Sequence, residues 1–132
     1  MDTPQRGDDL IASYSSKGPT LYDHVVKPDL VAPGNRAASL LAYRGTLAVA
    51  YPANLVASTE YRRGGQLSYD YFRLSGTSMA AAVTSGAAAI LLQQSPGLTP
   101  DQVKARLMRT AGKQFPISSI AVDGGVTYTS SY

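Results

Sequence analysis

The sequence predicts an α/β chain, and three observations carry that prediction. Short apolar segments bounded by Gly and Pro occupy the N-terminal third. A proline-free, Ala-rich run fills residues 78–94, and a second helical pattern with a complete start signal follows at 99–112.

In chain order, Leu10 to Ser16 predicts a short strand, closed by the turn Lys17-Gly18-Pro19-Thr20. Val25 to Ala32 predicts an extended segment ended by Pro33-Gly34; Pro28 within it points to an edge or a strand start. Residues 35–73 carry weaker signals: local apolar character at Ser39–Leu41 and Leu47–Tyr51, and an exposed loop at Arg62-Arg63-Gly64-Gly65. Five of the nine tyrosines lie between Tyr43 and Tyr71. With a large apolar face and a polar tip each, they suit either a binding surface or a long loop packed on its own rings.

Ser78 to Gln94 predicts a helix kept slim by alanines and Gly86, with Ile90, Leu91 and Leu92 near its end. A helix apolar on most faces is expected to be central and buried. Ser95-Pro96-Gly97 stops it. Thr99 is the expected N-cap of the next helix, with Pro100 at its first position, Gln102 completing a capping box and Gly112 as C-cap. Val103, Leu107 and Ala111 form its apolar stripe. From Phe115 to Tyr132, strand-like pieces at 117–122 and 126–128 flank the hairpin signal Asp123-Gly124-Gly125.

Size and composition restrict the function classes. A chain of 132 residues is expected to form one domain. Its net charge of +3 is scattered, and the set Lys104, Arg106, Arg109 and Lys113 falls near a helix end, where cations suit the dipole. That argues against a nucleic-acid partner. The absence of cysteine excludes disulfides, thiolate metal sites and a Cys nucleophile. No carboxylate cluster has the density of a calcium site, and no cofactor is expected. The opening nine residues are polar rather than leader-like, and the apolar run Met79–Leu92 is too short to span a bilayer, so no membrane partner is expected.

Ser78 is the candidate nucleophile. It opens a helix, where unpaired N–H groups and the positive end of the dipole favour a developing negative charge. A serine hydroxyl is weak at its own pKa and needs a neighbouring base. The same position equally suits a plain capping serine.

Three blocks in order, Ser13-Tyr14-Ser15-Ser16-Lys17-Gly18-Pro19, Lys27-Pro28-Asp29-Leu30-Val31-Ala32-Pro33-Gly34 and Gly76-Thr77-Ser78-Met79-Ala80-Ala81, resemble the subtilisin-like serine peptidases (subtilases). The Gly86-Ala87-Ala88-Ala89 continuation and the Thr-Pro-Asp-Gln-Val-Lys helix fit as well. The resemblance implies the C-terminal portion of a subtilisin-like sandwich, with helices on both faces of a parallel sheet, truncated at both ends. It implies Ser78 as acyl-transfer nucleophile, with the backbone N–H of Ser78, beside Thr77, in the oxyanion hole. Residues 32–35 and the Tyr-rich stretch would lie toward the substrate cleft. In the family, the catalytic Asp, the His and the oxyanion Asn precede the first block seen here. Two further departures are Ala82 where the family has proline and Val83 where histidine is frequent.

In subtilisin, the source of these magnitudes, loss of the serine or histidine costs about 10⁶ in kcat and loss of the oxyanion Asn about 10² to 10³. His24, the single histidine, is the one improvised base within the chain; a surface-loop role is the alternative. The expected function is therefore hydrolysis of peptide or ester substrates at Ser78, weak in this form, from a parent that is secreted. Two alternatives stand beside it. One is an inactive fragment or scaffold that self-associates through the surface left by the missing half, as a homo-oligomer. The other is a binding module that uses the Tyr-rich 43–72 stretch.

Overall fold

A computed structural model describes residues 7, 9–42, 44–113 and 118–131. Its contacts divide the chain into two units, Ala32–Val83 and Met1–Val31 with Thr84–Tyr132.

The Ala32–Val83 unit is built on a three-stranded sheet. The strands β1 (Ala37–Leu40), β2 (Leu55–Ala57) and β3 (Tyr69–Leu74) are ordered β1-β3-β2. Both pairings are antiparallel, with Ala37 opposite Leu74 and Leu55 opposite Phe72. β3 takes the centre because Tyr-Asp-Tyr-Phe-Arg-Leu is rich in residues that suit a pleated surface. Its Phe72 is buried, as is Val56 on β2. Ser58 is also buried, but its hydroxyl accepts the Ser68 N–H and donates toward the Gln66 carbonyl, so no polar atom is stranded. The short helix α1 (Thr46–Ala50) and two 3-10 turns, Pro52–Asn54 and Ser58–Glu60, complete residues 46–60. The sequence signals for this stretch were only local apolar patches, because its strands are held by long-range pairing. Arg62 to Gly65 is an exposed bend, with Gly64 and Gly65 at φ 76° and 105°. Tyr61 and Tyr71 pack edge to face at 5.2 Å, and Tyr51, Tyr61 and Tyr69 are exposed; Tyr43 lies outside the described residues.

The other unit has three parts. The first, residues 9–31, contains no strand. The expected strand over Leu10–Ser16 is instead a turn, in which the Ser15 N–H donates to the Ala12 carbonyl. The expected extended segment at Val25–Ala32 pairs only through isolated bonds, Gly18 N–H to Lys27 O and Thr20 N–H to Val25 O. Pro28 removes a donor there, and no neighbouring strand among the described residues supplies a ladder. The second part is helical. Helix α3 (Pro100–Thr110) carries the full capping box at Thr99 and Gln102. Its C-cap is Ala111 rather than Gly112. Val103 is buried, and Lys104 reaches Asp29 at 3.2 Å beside Lys27 at 2.6 Å. At the helix end, Lys113 Nζ donates to the Met108 carbonyl, as cations near a helix C-terminus do. The third part is the antiparallel hairpin of β4 (Ser118–Asp123) and β5 (Val126–Ser131). Gly124 and Gly125, at φ 55° and 79°, form its two-residue loop, which needs left-handed residues at both positions. Of the expected strand 117–122, residue 117 lies outside the described residues.

Helix α2 (Thr77–Gln94) corrects the expectation of a central buried helix. None of its residues is buried, and Val83, Ile90 and Leu92 are exposed. Alanine and glycine give it a slim surface, and Ala80, Thr84, Ala87, Ala88 and Leu91 on it are half-buried. The parallel sheet is likewise not among the described strands, whose pairings are all antiparallel. Parallel pairing needs a strand–helix–strand crossover; here β3 is followed by two helices in succession. The chain is α/β in content, with helices and small antiparallel sheets. No helix is long and apolar enough to cross a membrane among the described residues.

Candidate active site

The junction between β3 and α2 positions Ser78. β3 ends at Leu74, Ser75 and Gly76 turn the chain, and α2 begins at Thr77, leaving Ser78 exposed in the first helical turn. The Met79 and Ala80 N–H groups both reach the Gly76 carbonyl, at 3.1 and 3.4 Å. Those of Thr77 and Ser78 have no acceptor among the described residues. Two adjacent donors at a helix N-terminus thus face outward beside the hydroxyl, an arrangement suited to a developing oxyanion.

Residues 34–36 hold this junction in place. The Gly76 N–H donates to the Gly34 carbonyl at 2.8 Å. The Arg36 N–H donates to Ser75 Oγ at 2.8 Å, and Ser75 Oγ donates to Asn35 Oδ1 at 2.9 Å. A Cβ on Gly34 would stand 2.7 Å from the Gly76 carbonyl oxygen and 3.0 Å from the Ala80 Cβ. Glycine is therefore required by close approach rather than by backbone angle. The resemblance puts residues 32–35 toward the cleft; Ser75 and Arg36 carry no signal in the sequence, because their roles depend on a hydroxyl spanning about forty residues of chain. Arg36 holds φ 52°, a left-handed conformation costing roughly 1–2 kcal/mol in an L-residue other than glycine.

Beside the junction lies a cavity of about 240 Å³ lined by Arg36, Ala53, Asn54, Arg73 and Ser75. Arg73 pairs with Glu60, and hydrogen bonding to that guanidinium holds the Glu60 carboxyl below its ordinary range, with a smaller contribution from Arg36. Further along, Tyr61 donates to Asp70 at 2.6 Å; that bond pushes the phenol pKa upward.

His24 sits elsewhere in the chain, at an exposed turn in the Met1–Val31 portion of the other unit. Thr20 closes the turn: its hydroxyl donates to the Asp23 carboxylate and accepts the Val25 N–H at 2.8 Å. The Thr20 hydroxyl's bond to the carboxylate lowers the Asp23 pKa. His24 takes φ 52° there. Ser78 Oγ has no hydrogen-bond partner among the described residues, so no base is seen in contact with it. No group of three or more His, Asp and Glu residues is placed to hold a metal ion among the described residues.

The family model described as the subtilase family matches residues 5–128. Serine protease AprX of Bacillus subtilis (strain 168) is 38% identical over 112 residues, covering 85% of this chain and 23% of AprX. Subtilisin-like protease SBT3 of Solanum lycopersicum is 38% identical over 103 residues, 77% of this chain and 12% of that protein. Minor extracellular protease Vpr of Bacillus subtilis (strain 168) is 33% identical over 101 residues, 76% of this chain and 10% of Vpr. No solved structure matches. The chain spans less than a quarter of AprX and about a tenth of the other two.

Proposed function

The chain belongs to the subtilase family, and from that premise we propose that it carries the nucleophile segment of a serine peptidase catalytic domain, with Ser78 as the acyl-transfer nucleophile. The supporting observation is the exposed Ser78 hydroxyl beside the unpaired N–H groups of Thr77 and Ser78, on a junction braced by residues 34–36. In this reading Ser78 Oγ attacks the substrate carbonyl carbon and its proton passes to a base. The two N–H groups donate to the oxygen that gains charge. Collapse expels the amine or alcohol, which takes the proton, and water then releases the acyl group.

The base is the open role. In the whole enzyme we assign it to the family's histidine block, in the share of the family's length outside the matched segment. Within this chain His24 is the single imidazole, and the chain alone is a weak hydrolase, better on activated esters than on amides. The family's parallel-sheet sandwich would then supply the full cover that the exposed residues of α2 lack here. Without that cover, the exposed Val83, Ile90 and Leu92 favour self-association of the chain. A secreted parent accords with the extracellular relative Vpr.

A fluorophosphonate probe tests the assignment. Labelling at Ser78, absent in Ser78→Ala, together with p-nitrophenyl ester turnover, is the expected result. His24→Ala tests the improvised base: unchanged turnover removes it. Absence of labelling leaves a scaffold, and peptide binding lost on Tyr51 and Tyr69 substitution but kept in Ser78→Ala marks a binding module instead.

A further inference from the structure

The cavity beside the β3–α2 junction is polar, and its charges do not cancel. Arg73 is paired with Glu60, while Arg36 is exposed and has no ion-pair partner among the described residues. Two guanidiniums therefore line a space that Asn54 also lines, and one of the two is paired with the Glu60 carboxylate. The Ser75 hydroxyl is committed to Asn35 and to the Arg36 N–H, so it positions Arg36 rather than binding a ligand. At about 240 Å³ the space is smaller than pockets for drug-sized molecules and takes a single side chain. The left-handed backbone of Arg36 is held by that Ser75 bond, and strain maintained by surrounding structure gathers at binding sites.

We propose that the cavity bounded by Arg36, Asn54 and Arg73 is a subsite for the carboxylate of an acidic residue in the peptide presented to Ser78, with Arg36 supplying the recognising charge. This rests on the reading of Ser78 as the peptidase nucleophile. Ser75 links the two, because it lines the cavity and lies on the same junction three residues before Ser78. A guanidinium receives a carboxylate through paired charge-assisted hydrogen bonds. The Asn54 amide adds a neutral donor. A basic side chain is repelled by the uncompensated charge, and an amide loses the charge assistance.

Fluorescence anisotropy on the full chain carrying Ser78→Ala, which cannot consume the ligand, tests the subsite. The probes are a short fluorescein-labelled peptide with one Glu and its Gln and Lys twins. The Glu peptide is expected to bind about tenfold more tightly than its Gln twin, with Lys weakest and the Glu advantage shrinking as salt rises. Arg36→Gln removes the Glu–Gln difference, and Arg36→Glu reverses the order in favour of Lys, both with an unchanged circular dichroism spectrum. Equal binding of Glu and Gln peptides, or a Glu advantage that survives Arg36→Gln, overturns the proposal. Fluorophosphonate labelling of the unsubstituted chain separates the two claims. Labelling without charge preference overturns the subsite alone; charge preference without labelling supports a carboxylate site and removes the peptidase reading.

Discussion

Gly34→Ala probes how the nucleophile junction is held. The new Cβ would stand 2.7 Å from the Gly76 carbonyl oxygen, 3.0 Å from the Ala80 Cβ and 3.2 Å from the Ala80 nitrogen. Two of these atoms are backbone and the third is a Cβ, so no flexible side chain can swing aside. Ordinary contact begins near 3.4 Å, so segment 34–36 must withdraw by about 0.7 Å. That movement stretches the 2.8 Å bond from the Gly76 N–H to the Gly34 carbonyl beyond hydrogen-bonding range. Overpacking costs about 1–3 kcal/mol and a lost hydrogen bond about 0.5–1.5 kcal/mol, so a loss of about 1.5–4.5 kcal/mol is expected. The first turn of α2 moves with Gly76, and small misplacements of a reacting group carry large rate penalties. The rate of fluorophosphonate labelling at Ser78 is therefore expected to fall by about tenfold or more. Urea unfolding followed by circular dichroism gives the first quantity and timed labelling the second. Gly86→Ala is the control: a Cβ there meets nothing within 4 Å, and mid-helix alanine should add about 0.5–1 kcal/mol. A Gly34→Ala protein as stable and as quickly labelled as its parent would refute the argument that residues 34–36 position the junction.

Other outcomes follow from the same structure. Thr99→Ala removes the hydroxyl that accepts the Gln102 N–H and should cost about 1 kcal/mol, read as a lower urea midpoint. Asp29 is hydrogen-bonded to Lys27 and Lys104, which lowers its pKa below the ordinary 3.8; its contribution is present above that value and lost as pH falls through the folded pKa. Asp29→Asn should thus lower the urea midpoint at neutral pH, with the gap to the parent closing in acid. Arg36→Gly relieves the left-handed backbone and should add up to about 1 kcal/mol, while removing the Glu preference in the anisotropy assay. Asp70→Asn removes the carboxylate that raises the Tyr61 pKa, so ultraviolet titration should show a tyrosine ionising at lower pH.

Local signals were legible wherever a few neighbouring residues determine the outcome. Thr99, Pro100 and Gln102 announce a capping box, and the structure contains it. Asp123-Gly124-Gly125 announces the hairpin, because two left-handed residues in a row call for glycine. The strand expected at Leu10–Ser16 is absent for the opposite reason: its composition suits a strand, but a strand exists only where a partner offers a ladder, and none does among the described residues. The three-stranded sheet was missed because its central strand pairs with residues more than thirty positions away on one side.

The sequence by itself determined the family and the identity of the candidate nucleophile, since Gly76-Thr77-Ser78-Met79-Ala80-Ala81 is a contiguous pattern whose meaning is local. Only the tertiary structure decided what braces that serine. Gly34, Asn35 and Arg36 reach Ser75 and Gly76 across about forty residues of chain, through bonds that spacing alone does not reveal. It decided, too, that α2 has no fully buried residue in this chain: apolar composition says that a helix seeks burial, but burial needs neighbours to supply the opposing surface.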